Sequence, residues 1–243
     1  MIFRFRQFSI TQKVSAMKVG TDSVLLGSFC DPVKAKIILD IGAGTGLLTL
    51  MLAQKSMAHI DAVEPDLAAY SECVLNFEQS SWSDRLNIFH GKIQDFKSTK
   101  KYDLIISNPP YYQKLHNISI PNKQRSLARH DQELSLEILC REMVQRLNHD
   151  GECWLILPVR EAITFVDFAK ANGLWLKSKI NVKPNPKKEI NRCILCFTFN
   201  ECISRESFIQ LYDQKGSVSK EYVKKTKDYL LWSTFTEEEL NRL

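Results

Sequence analysis

The sequence predicts an α/β protein whose central β-sheet is mostly parallel and carries helices on both faces. Between residues 36 and 157, short β-branched apolar runs alternate with segments of helical spacing. This order is typical of parallel strands joined by crossover helices. Farther along the chain, two apolar runs flank Lys183-Pro-Asn-Pro-Lys-Lys-Glu, whose turn chemistry predicts an antiparallel hairpin.

The predicted elements follow one another without an internal repeat or a low-complexity linker. Residues 1–35 begin with alternating apolar and basic residues, which predict a strand. We then predict strands at 36–41, 58–63, 85–90, 102–107 and 153–157, and helices at 47–54, 67–79 and 134–147. A helix at 160–172 and strands at 174–182 and 192–199 follow. We therefore interpret the chain as one domain, 1–243, with an N-terminal extension (1–35), a core (36–200) and a mainly helical tail (201–243).

The composition excludes several classes of protein. Of the 243 residues, 44% are hydrophobic and 25% are charged, which is typical of a globular protein and excludes disorder. No apolar run approaches the ~18 residues of a membrane helix, and the start lacks the apolar core of a signal peptide. We therefore expect a cytoplasmic protein without a membrane span, with its seven cysteines reduced. No second ligand pair accompanies Cys193 and Cys196, so we predict two core residues and no metal site.

Positive charge is concentrated in three segments. The formal net charge is +5, yet residues 1–36 carry an excess of four positive charges, residues 97–130 an excess of six and residues 177–192 an excess of five. Three basic segments in an otherwise acidic chain indicate loops gathered around a polyanion, and nucleic acid is the natural partner. The candidate RNA-binding residues are Arg4, Arg6, Lys114, Lys123, Arg125, Arg129, Lys183, Lys187 and Lys188.

A glycine-rich turn, Asp40-Ile-Gly42-Ala-Gly44-Thr-Gly46, follows the first core strand. Glycine allows the backbone to approach a ligand closely and to adopt positive φ angles. A dinucleotide fingerprint has a Gly or Ala three positions after its second glycine, but Leu47 stands there and Gly46 comes early. Asp40 would repel a pyrophosphate but can pair with an ammonium group. The turn therefore predicts a cationic, phosphate-free nucleoside ligand, and S-adenosylmethionine is one.

Two further carboxylates follow predicted strands. Glu64 comes directly after the second core strand, 24 residues beyond Asp40, where a carboxylate can accept hydrogen bonds from both ribose hydroxyls. Asp95 follows the third core strand, where a carboxylate can meet an adenine amine. Both are candidate cofactor-binding residues.

The motif Ser107-Asn108-Pro109-Pro110-Tyr111 closes the fourth core strand. Two prolines make a stiff turn and remove two backbone donors, so nearby carbonyls are free to accept hydrogen bonds. The Asn108 side-chain oxygen and a proline carbonyl can each take one hydrogen of a planar –NH2 group, which frees the nitrogen lone pair to attack a methyl sulfonium. Tyr111 can stack on the target base. Residues 108–111 are therefore the candidate catalytic residues.

Together these motifs resemble those of class I S-adenosylmethionine-dependent methyltransferases, and within them the amino-methylating Asn-Pro-Pro-Tyr group, over residues 36–200. The resemblance implies a Rossmann-like, seven-stranded, mostly parallel sheet with a C-terminal antiparallel hairpin.

The flanking residues narrow the resemblance. The start of the chain is similar to the start of the bacterial tRNA(Val) adenosine N6-methyltransferases, which modify the adenosine just 3′ of the anticodon. The similarity lies in two segments, Phe3-Arg-Phe-Arg-Gln-Phe-Ser-Ile-Thr-Gln12 and Met17-Lys-Val-Gly-Thr-Asp-Ser-Val-Leu-Leu-Gly27. In that family the Thr-Asp-x-x-Leu-Leu segment begins a helix over the cofactor, which implies that Lys18, Thr21 and Asp22 lie near it. The residues themselves are compatible with this, because Thr21 can cap a helix with an apolar side.

The predicted function is N6-methylation of an adenosine in tRNA by a monomeric enzyme that uses S-adenosylmethionine. A glutamine N5-methyltransferase acting on a release factor shares the Asn-Pro-Pro-Tyr turn, but such proteins have a helical N-terminal domain, and only 39 residues precede Asp40. A DNA adenine methyltransferase needs an inserted recognition domain of roughly one hundred residues. A non-catalytic RNA-binding module of the same fold needs neither turn, and Leu47 argues against an NAD dehydrogenase.

Overall fold

The computed structural model describes residues 1–110, 134–233 and 235–242. Its centre is an eight-stranded sheet with the strand order β10-β8-β9-β7-β6-β3-β4-β5, and a separate hairpin pairs β1 with β2. The strands are β1 (Ile2–Arg4), β2 (Ser9–Thr11), β3 (Ile37–Ile41), β4 (His59–Glu64), β5 (Leu86–His90), β6 (Tyr102–Ser107), β7 (Leu147–Pro158), β8 (Trp175–Lys183), β9 (Arg192–Thr198) and β10 (Arg205–Gln210). The helices are α1 (Thr21–Phe29), α2 (Leu47–Lys55), α3 (Leu67–Glu78), α4 (Leu136–Arg146), α5 (Val159–Ala171), α6 (Lys220–Thr226) and α7 (Glu237–Arg242). The predicted α/β class is confirmed.

The order of the strands reverses beside β3. From β3 the chain proceeds outward through β4 to β5, then returns to the other side of β3 as β6 and continues to β7. Pairs β3–β4, β3–β6, β4–β5 and β6–β7 are all parallel. In open α/β sheets, ligands bind outside the carboxyl ends of the strands at such a reversal. We call this side of the sheet, where β3, β4, β5, β6 and β7 end, the carboxyl edge.

The predicted hairpin is present but is not the end of the sheet. Strand β9 is antiparallel to both β7 and β8, so β8 again ends at the carboxyl edge. The expected count of seven strands was one too low, because β10 adds to β8 in parallel. The tail was expected to be mainly helical from residue 201, and this is wrong for 205–210. Only Ile209 of β10 is buried, so the segment lacks the apolar alternation that marks a half-buried strand.

Two hydrophobic clusters, one on each face of the sheet, form the core. Helices α1, α2, α3 and α6 contribute to the first cluster, and α4 and α5 to the second. Cys193 and Cys196 are buried in β9, one in each cluster, as predicted for core residues. Among the described residues, no helix is long and apolar enough to cross a membrane, and no group of histidine, cysteine and carboxylate side chains could hold a metal ion.

The N-terminal extension is attached to α3 by two buried polar side chains. The Glu72 carboxylate accepts hydrogen bonds from the amides of Lys13, Val14 and Ser15, and these bonds lower its pKa to about 2 despite its burial. One turn farther along α3, Asn76 exchanges hydrogen bonds with both backbone groups of Thr11, at 2.8 and 3.1 Å. The segment before α1 is therefore held beside the glycine-rich turn.

Helix α1 begins as predicted, but not by the predicted cap. Gly20 occupies the N-cap position and no side chain caps the helix, so the expected capping role of Thr21 is wrong. Thr21 already belongs to the helix and is exposed.

Candidate functional site

Two turns lie side by side at the carboxyl edge. One is the glycine-rich turn, 40–46, which is predicted to bind the cofactor, and the other is the Asn-Pro-Pro turn that begins at Asn108, which is predicted to bind the acceptor amine and is called the acceptor turn below. Asp40 and Ser107 are near the ends of neighbouring strands, β3 and β6. The Ser107 hydroxyl donates a 2.7 Å hydrogen bond to the carbonyl oxygen of Ile41, the last residue of β3. Two motifs that lie more than sixty residues apart in sequence therefore meet at the point where the strand order reverses.

The glycine-rich turn contains two glycines that face open space. Gly42 and Gly44 have φ angles of 74° and 58°, which a side chain rarely adopts, and a Cβ on either would meet no atom within 4 Å. Gly46 differs, because a Cβ there would lie 2.6 Å from the Phe77 ring and 2.8 Å from the Cys73 sulfur. Two of the three glycines thus leave room for a ligand, whereas the third allows α2 and α3 to pack closely.

Asp40 is a fully buried carboxylate that is satisfied on one side. Its Oδ2 accepts hydrogen bonds from the Thr49 amide and hydroxyl, at 3.1 and 2.8 Å. Its Oδ1 is buried and has no hydrogen-bond partner among the described residues. Burial raises the pKa of Asp40 to about 7, although the bonds from Thr49 oppose this increase. A buried carboxylate oxygen without a partner suits a cationic ligand.

Glu64 holds the glycine turn in addition to ending β4. Its Oε2 accepts a 2.7 Å hydrogen bond from the Gly44 amide, and its Oε1 accepts one of 2.8 Å from the Asp66 amide. Burial raises the pKa of this carboxyl, although the two amides oppose the increase. Each oxygen keeps a lone pair for a further donor, so the predicted contact with the ribose hydroxyls stays a prediction. Sequence reasoning missed the bond to Gly44.

The region beyond Glu64 contains aromatic side chains as well as the predicted Asp95. His90 pairs with Glu64 across β4 and β5, and its ring lies 4.9 Å from that of Tyr70 in α3. Asp95 is exposed at the end of a short 3-10 turn, with Ile93 buried beneath it. Its contact with adenine stays a prediction.

A side-chain hydrogen bond joins the acceptor turn to the first turn of α1. Asn108 is half-buried, and its Nδ2 donates a 2.8 Å hydrogen bond to the hydroxyl oxygen of Ser23. Pro109 is buried and Pro110 is exposed, while Tyr111 lies outside the described residues. Sequence reasoning missed Ser23, because 85 positions separate it from Asn108 and no local pattern connects them.

Two of the other residues predicted near the cofactor, Lys18 and Asp22, have structural partners. The Lys18 ammonium donates to the carbonyl oxygens of Gln12 and Lys13, at 3.1 and 3.4 Å, within its own loop. Asp22 forms a 2.9 Å ion pair with Arg192 at the start of β9. Thr21 and Asp22 thus lie in the first turn of α1, close to Asn108, whereas the Lys18 side chain supports the loop before it.

The basic candidates divide into separate groups. Lys183 ends β8, and Lys187 and Lys188 are exposed in the following turn, so all three lie at the carboxyl edge. Three strand spacings separate β8 from β6, which corresponds to about 14 Å. Four basic candidates lie outside the described residues: Lys114, Lys123, Arg125 and Arg129.

The structure does not bring Arg6 to this edge. Arg6 lines a groove with Gln54 and Lys55 at the far end of α2, about 13 Å from the glycine turn along the helix. Arg4 is exposed in β1. The N-terminal strand is therefore separated from the turn that contains Lys187 and Lys188.

Comparisons with known proteins identify the family of the chain. Residues 13–160 match the family model described as a methyltransferase small domain. A tRNA1(Val) (adenine(37)-N6)-methyltransferase of Flavobacterium johnsoniae is 40% identical over 238 residues, with 95% of this chain and 99% of the relative covered. A protein of the same name from Pseudoalteromonas translucida is 37% identical over 94% of this chain and 98% of the relative.

Solved structures agree on the fold. A predicted O-methyltransferase from Agrobacterium tumefaciens superimposes with a TM-score of 0.63 at 14% identity, covering 86% of this chain and 96% of that one. The TYW2 protein of Pyrococcus horikoshii, solved in complex with MeSAdo, gives a TM-score of 0.58 at 15% identity, over 82% and 71% of the two chains. From the family model and the relatives together, the chain belongs to the methyltransferase small domain family and to the family of tRNA1(Val) (adenine(37)-N6)-methyltransferases.

Proposed function

We propose that this protein methylates the exocyclic amine of an adenosine in tRNA, next to the anticodon of tRNA(Val), with S-adenosylmethionine as the methyl donor. The observation that carries the proposal is the junction of the two turns, where Ser107 bonds to the carbonyl of Ile41 and sets the Asn108 turn beside the glycine turn. Relatives of 37–40% identity with that activity in their names support the same substrate.

The residues at the glycine turn fit this cofactor. The unpartnered Oδ1 of Asp40 suits the ammonium group of its methionine part, and the open space at Gly42 and Gly44 admits the ligand close to the backbone. Glu64 keeps acceptor capacity for the ribose hydroxyls, and Asp95 is the proposed partner of the adenine amine. When bound, the cofactor supplies a methyl group on a positively charged sulfur.

Asn108 and the proline turn orient the acceptor amine. The amide oxygen of Asn108 and the carbonyl of Pro109 each accept one of its hydrogens, which directs the nitrogen lone pair away from the turn. The nitrogen needs no prior deprotonation, because it becomes strongly acidic only when it gains a fourth bond. Positioning and polarisation therefore provide most of the rate. Tyr111 is proposed to stack on the adenine.

The carboxyl edge is the proposed RNA surface. Lys183, Lys187 and Lys188 lie at the same edge as Asn108, at the end of a strand that is three strand spacings from β6, and we propose that they contact phosphates flanking an extruded base. The basic residues of 114–129 are proposed to contribute to the same surface. Such contacts predict an affinity for tRNA that falls steeply with salt.

The proposal also covers the cellular compartment, the number of domains and the oligomeric state. A tRNA substrate favours the cytoplasm as the compartment. We propose a single domain that acts as a monomer, because the two turns are built from one chain. Light scattering at working concentration tests the oligomeric state, and a mass corresponding to two chains would contradict it.

The deciding experiment is methyl transfer from labelled S-adenosylmethionine to total tRNA from a strain that lacks the gene, followed by nucleoside mass spectrometry. We expect N6-methyladenosine, and we expect tRNA(Val) to carry it when single tRNAs are compared. A chain that binds S-adenosylhomocysteine but leaves tRNA unmodified, and methylates a glutamine of a release factor instead, would contradict the proposal. Binding of NAD in place of S-adenosylhomocysteine would contradict the cofactor.

A further inference from the structure

The start of α1 lies against the end of β6, and one hydrogen bond joins them. Nδ2 of Asn108 donates to Oγ of Ser23 at 2.8 Å, and both side chains are half-buried. Among the described residues, no group donates to Oδ1 of Asn108. The Asn108 amide is thus held through its nitrogen, with its oxygen directed elsewhere.

The direction of this amide matters for the reaction. An amide is planar, and its oxygen and nitrogen point in different directions from the trigonal terminal carbon. When the –NH2 group is bonded to Ser23, the oxygen faces away from α1 and can accept a hydrogen from the acceptor amine. The Ser23 hydroxyl could also donate, but in the opposite orientation the –NH2 group of Asn108 would face the –NH2 group of the acceptor, and two such donors form no hydrogen bond with each other. Only the orientation in which Ser23 accepts leaves Oδ1 of Asn108 for the acceptor amine.

Ser23 is itself held firmly. The preceding Asp22 pairs with Arg192 of β9 at 2.9 Å. The following Val24 and Leu25 are almost completely buried, and Gly27 packs so closely on Met51 that a Cβ there would lie 2.7 Å from its sulfur. Since α1 cannot shift without breaking these contacts, the Ser23 hydroxyl is a fixed point for the Asn108 side chain.

We propose that Ser23 is a positioning residue for the transfer reaction, which holds the Asn108 amide with its oxygen toward the acceptor amine. The inference rests on the proposed function, because it needs Asn108 to bind the acceptor. It makes the N-terminal extension part of the proposed acceptor site. Ser23 does not touch the reacting atoms and acts through Asn108 alone.

The test compares three variants in steady-state methyl transfer to tRNA. Ser23→Ala removes the acceptor of the bond, and Ser23→Thr retains a hydroxyl. Ser28→Ala is the matched control, because Ser28 lies in the same helix and its buried hydroxyl has no partner among the described residues. Melting temperature and the Kd of S-adenosylhomocysteine are measured for each variant.

We expect Ser23→Ala to lower kcat about tenfold, the effect of losing one neutral hydrogen bond, with the KM for tRNA and the cofactor Kd changed less than about twofold. Ser23→Thr should recover most of kcat, and Ser28→Ala should match the wild type. An active wild type with an equally active Ser23→Ala variant would overturn the inference alone. Equal losses in Ser23→Ala and Ser28→Ala would also overturn it, as they would indicate a general effect on the helix. A wild type that leaves tRNA unmodified would overturn the proposed function, and the inference with it.

Discussion

The substitution Asp40→Asn separates the stability of the free protein from its ability to bind the cofactor. Burial raises the pKa of Asp40 from its ordinary value of 3.8 to about 7. As the pH rises, the unfolded chain therefore loses this proton first, while the folded chain retains it until about pH 7. The contribution of Asp40 to the free energy of unfolding consequently falls between about pH 4 and pH 7 and becomes constant above that range. The asparagine of the variant does not titrate, and its amide oxygen can still accept both hydrogen bonds from Thr49.

The size of the effect follows from the two pKa values. One pKa unit corresponds to about 1.4 kcal/mol, so ionised Asp40 costs the folded state about 4 kcal/mol above pH 7. At pH 5 the cost is only about 2 kcal/mol, because the folded state still holds the proton. The difference in unfolding free energy between Asp40→Asn and the wild type should therefore grow by roughly 2 kcal/mol from pH 5 to pH 8. A constant cost, such as an unsatisfied amide hydrogen in the variant, cancels from this comparison.

Urea unfolding of the ligand-free proteins at pH 5 and pH 8 provides the measurement. A difference that changes by less than about 0.5 kcal/mol would refute the reasoning, because Asp40 would then titrate alike in both states. Binding of S-adenosylhomocysteine provides a second comparison. The wild-type affinity should fall about tenfold for each pH unit below 7 as Asp40 gains its proton, whereas the variant should bind weakly at every pH.

The other predictions concern single parts of the site. Asn108→Ala should reduce turnover by at least about a hundredfold with an unchanged cofactor Kd, and near-normal turnover would place the acceptor site elsewhere. Charge reversal of Lys187 and Lys188 should weaken tRNA binding and flatten its salt dependence without changing the affinity for the cofactor. Filter binding at several salt concentrations measures this, and an equal loss of both affinities would contradict separate surfaces for tRNA and cofactor. Gly46→Ala should lower the unfolding free energy by about 2–4 kcal/mol through its clash with α3, whereas Gly44→Ala should mainly weaken cofactor binding. A larger loss of stability in Gly44→Ala, with a larger loss of cofactor affinity in Gly46→Ala, would contradict these roles.

The strands that support the site are visible in the sequence because each ends in a recognisable chemical signal. The predicted range of β6, 102–107, coincides with the observed strand, and β3 begins one residue later than predicted. Both are continuous apolar runs that stop at a glycine or proline turn, a pattern that fully buried parallel strands produce. The motifs that carry the family resemblance lie in these same turns.

The remaining features depend on contacts that no local pattern encodes. The bond between Ser23 and Asn108 spans 85 positions, and it exists only because the fold places the first turn of α1 beside the residue that follows β6. Gly46 has the same appearance in the sequence as Gly42 and Gly44, yet only its neighbours in α3 show that it serves packing. Strand β10 buries one side chain, so pairing with β8 alone distinguishes it from the tail that was expected to be helical.

A turn made of glycines has few side chains to pack, and here buried polar groups take over that task. The Glu64 carboxylate binds the Gly44 amide, and Asn76 donates to the carbonyl of Thr45 at 2.8 Å. Asp40 is bonded to Thr49 in the first turns of α2. Because Asn76 also binds Thr11, the N-terminal extension and the glycine turn share one anchor. A change that frees Asn76 should therefore loosen the glycine-rich turn and the segment leading to Ser23 together, and it would couple the proposed cofactor site to the proposed acceptor site.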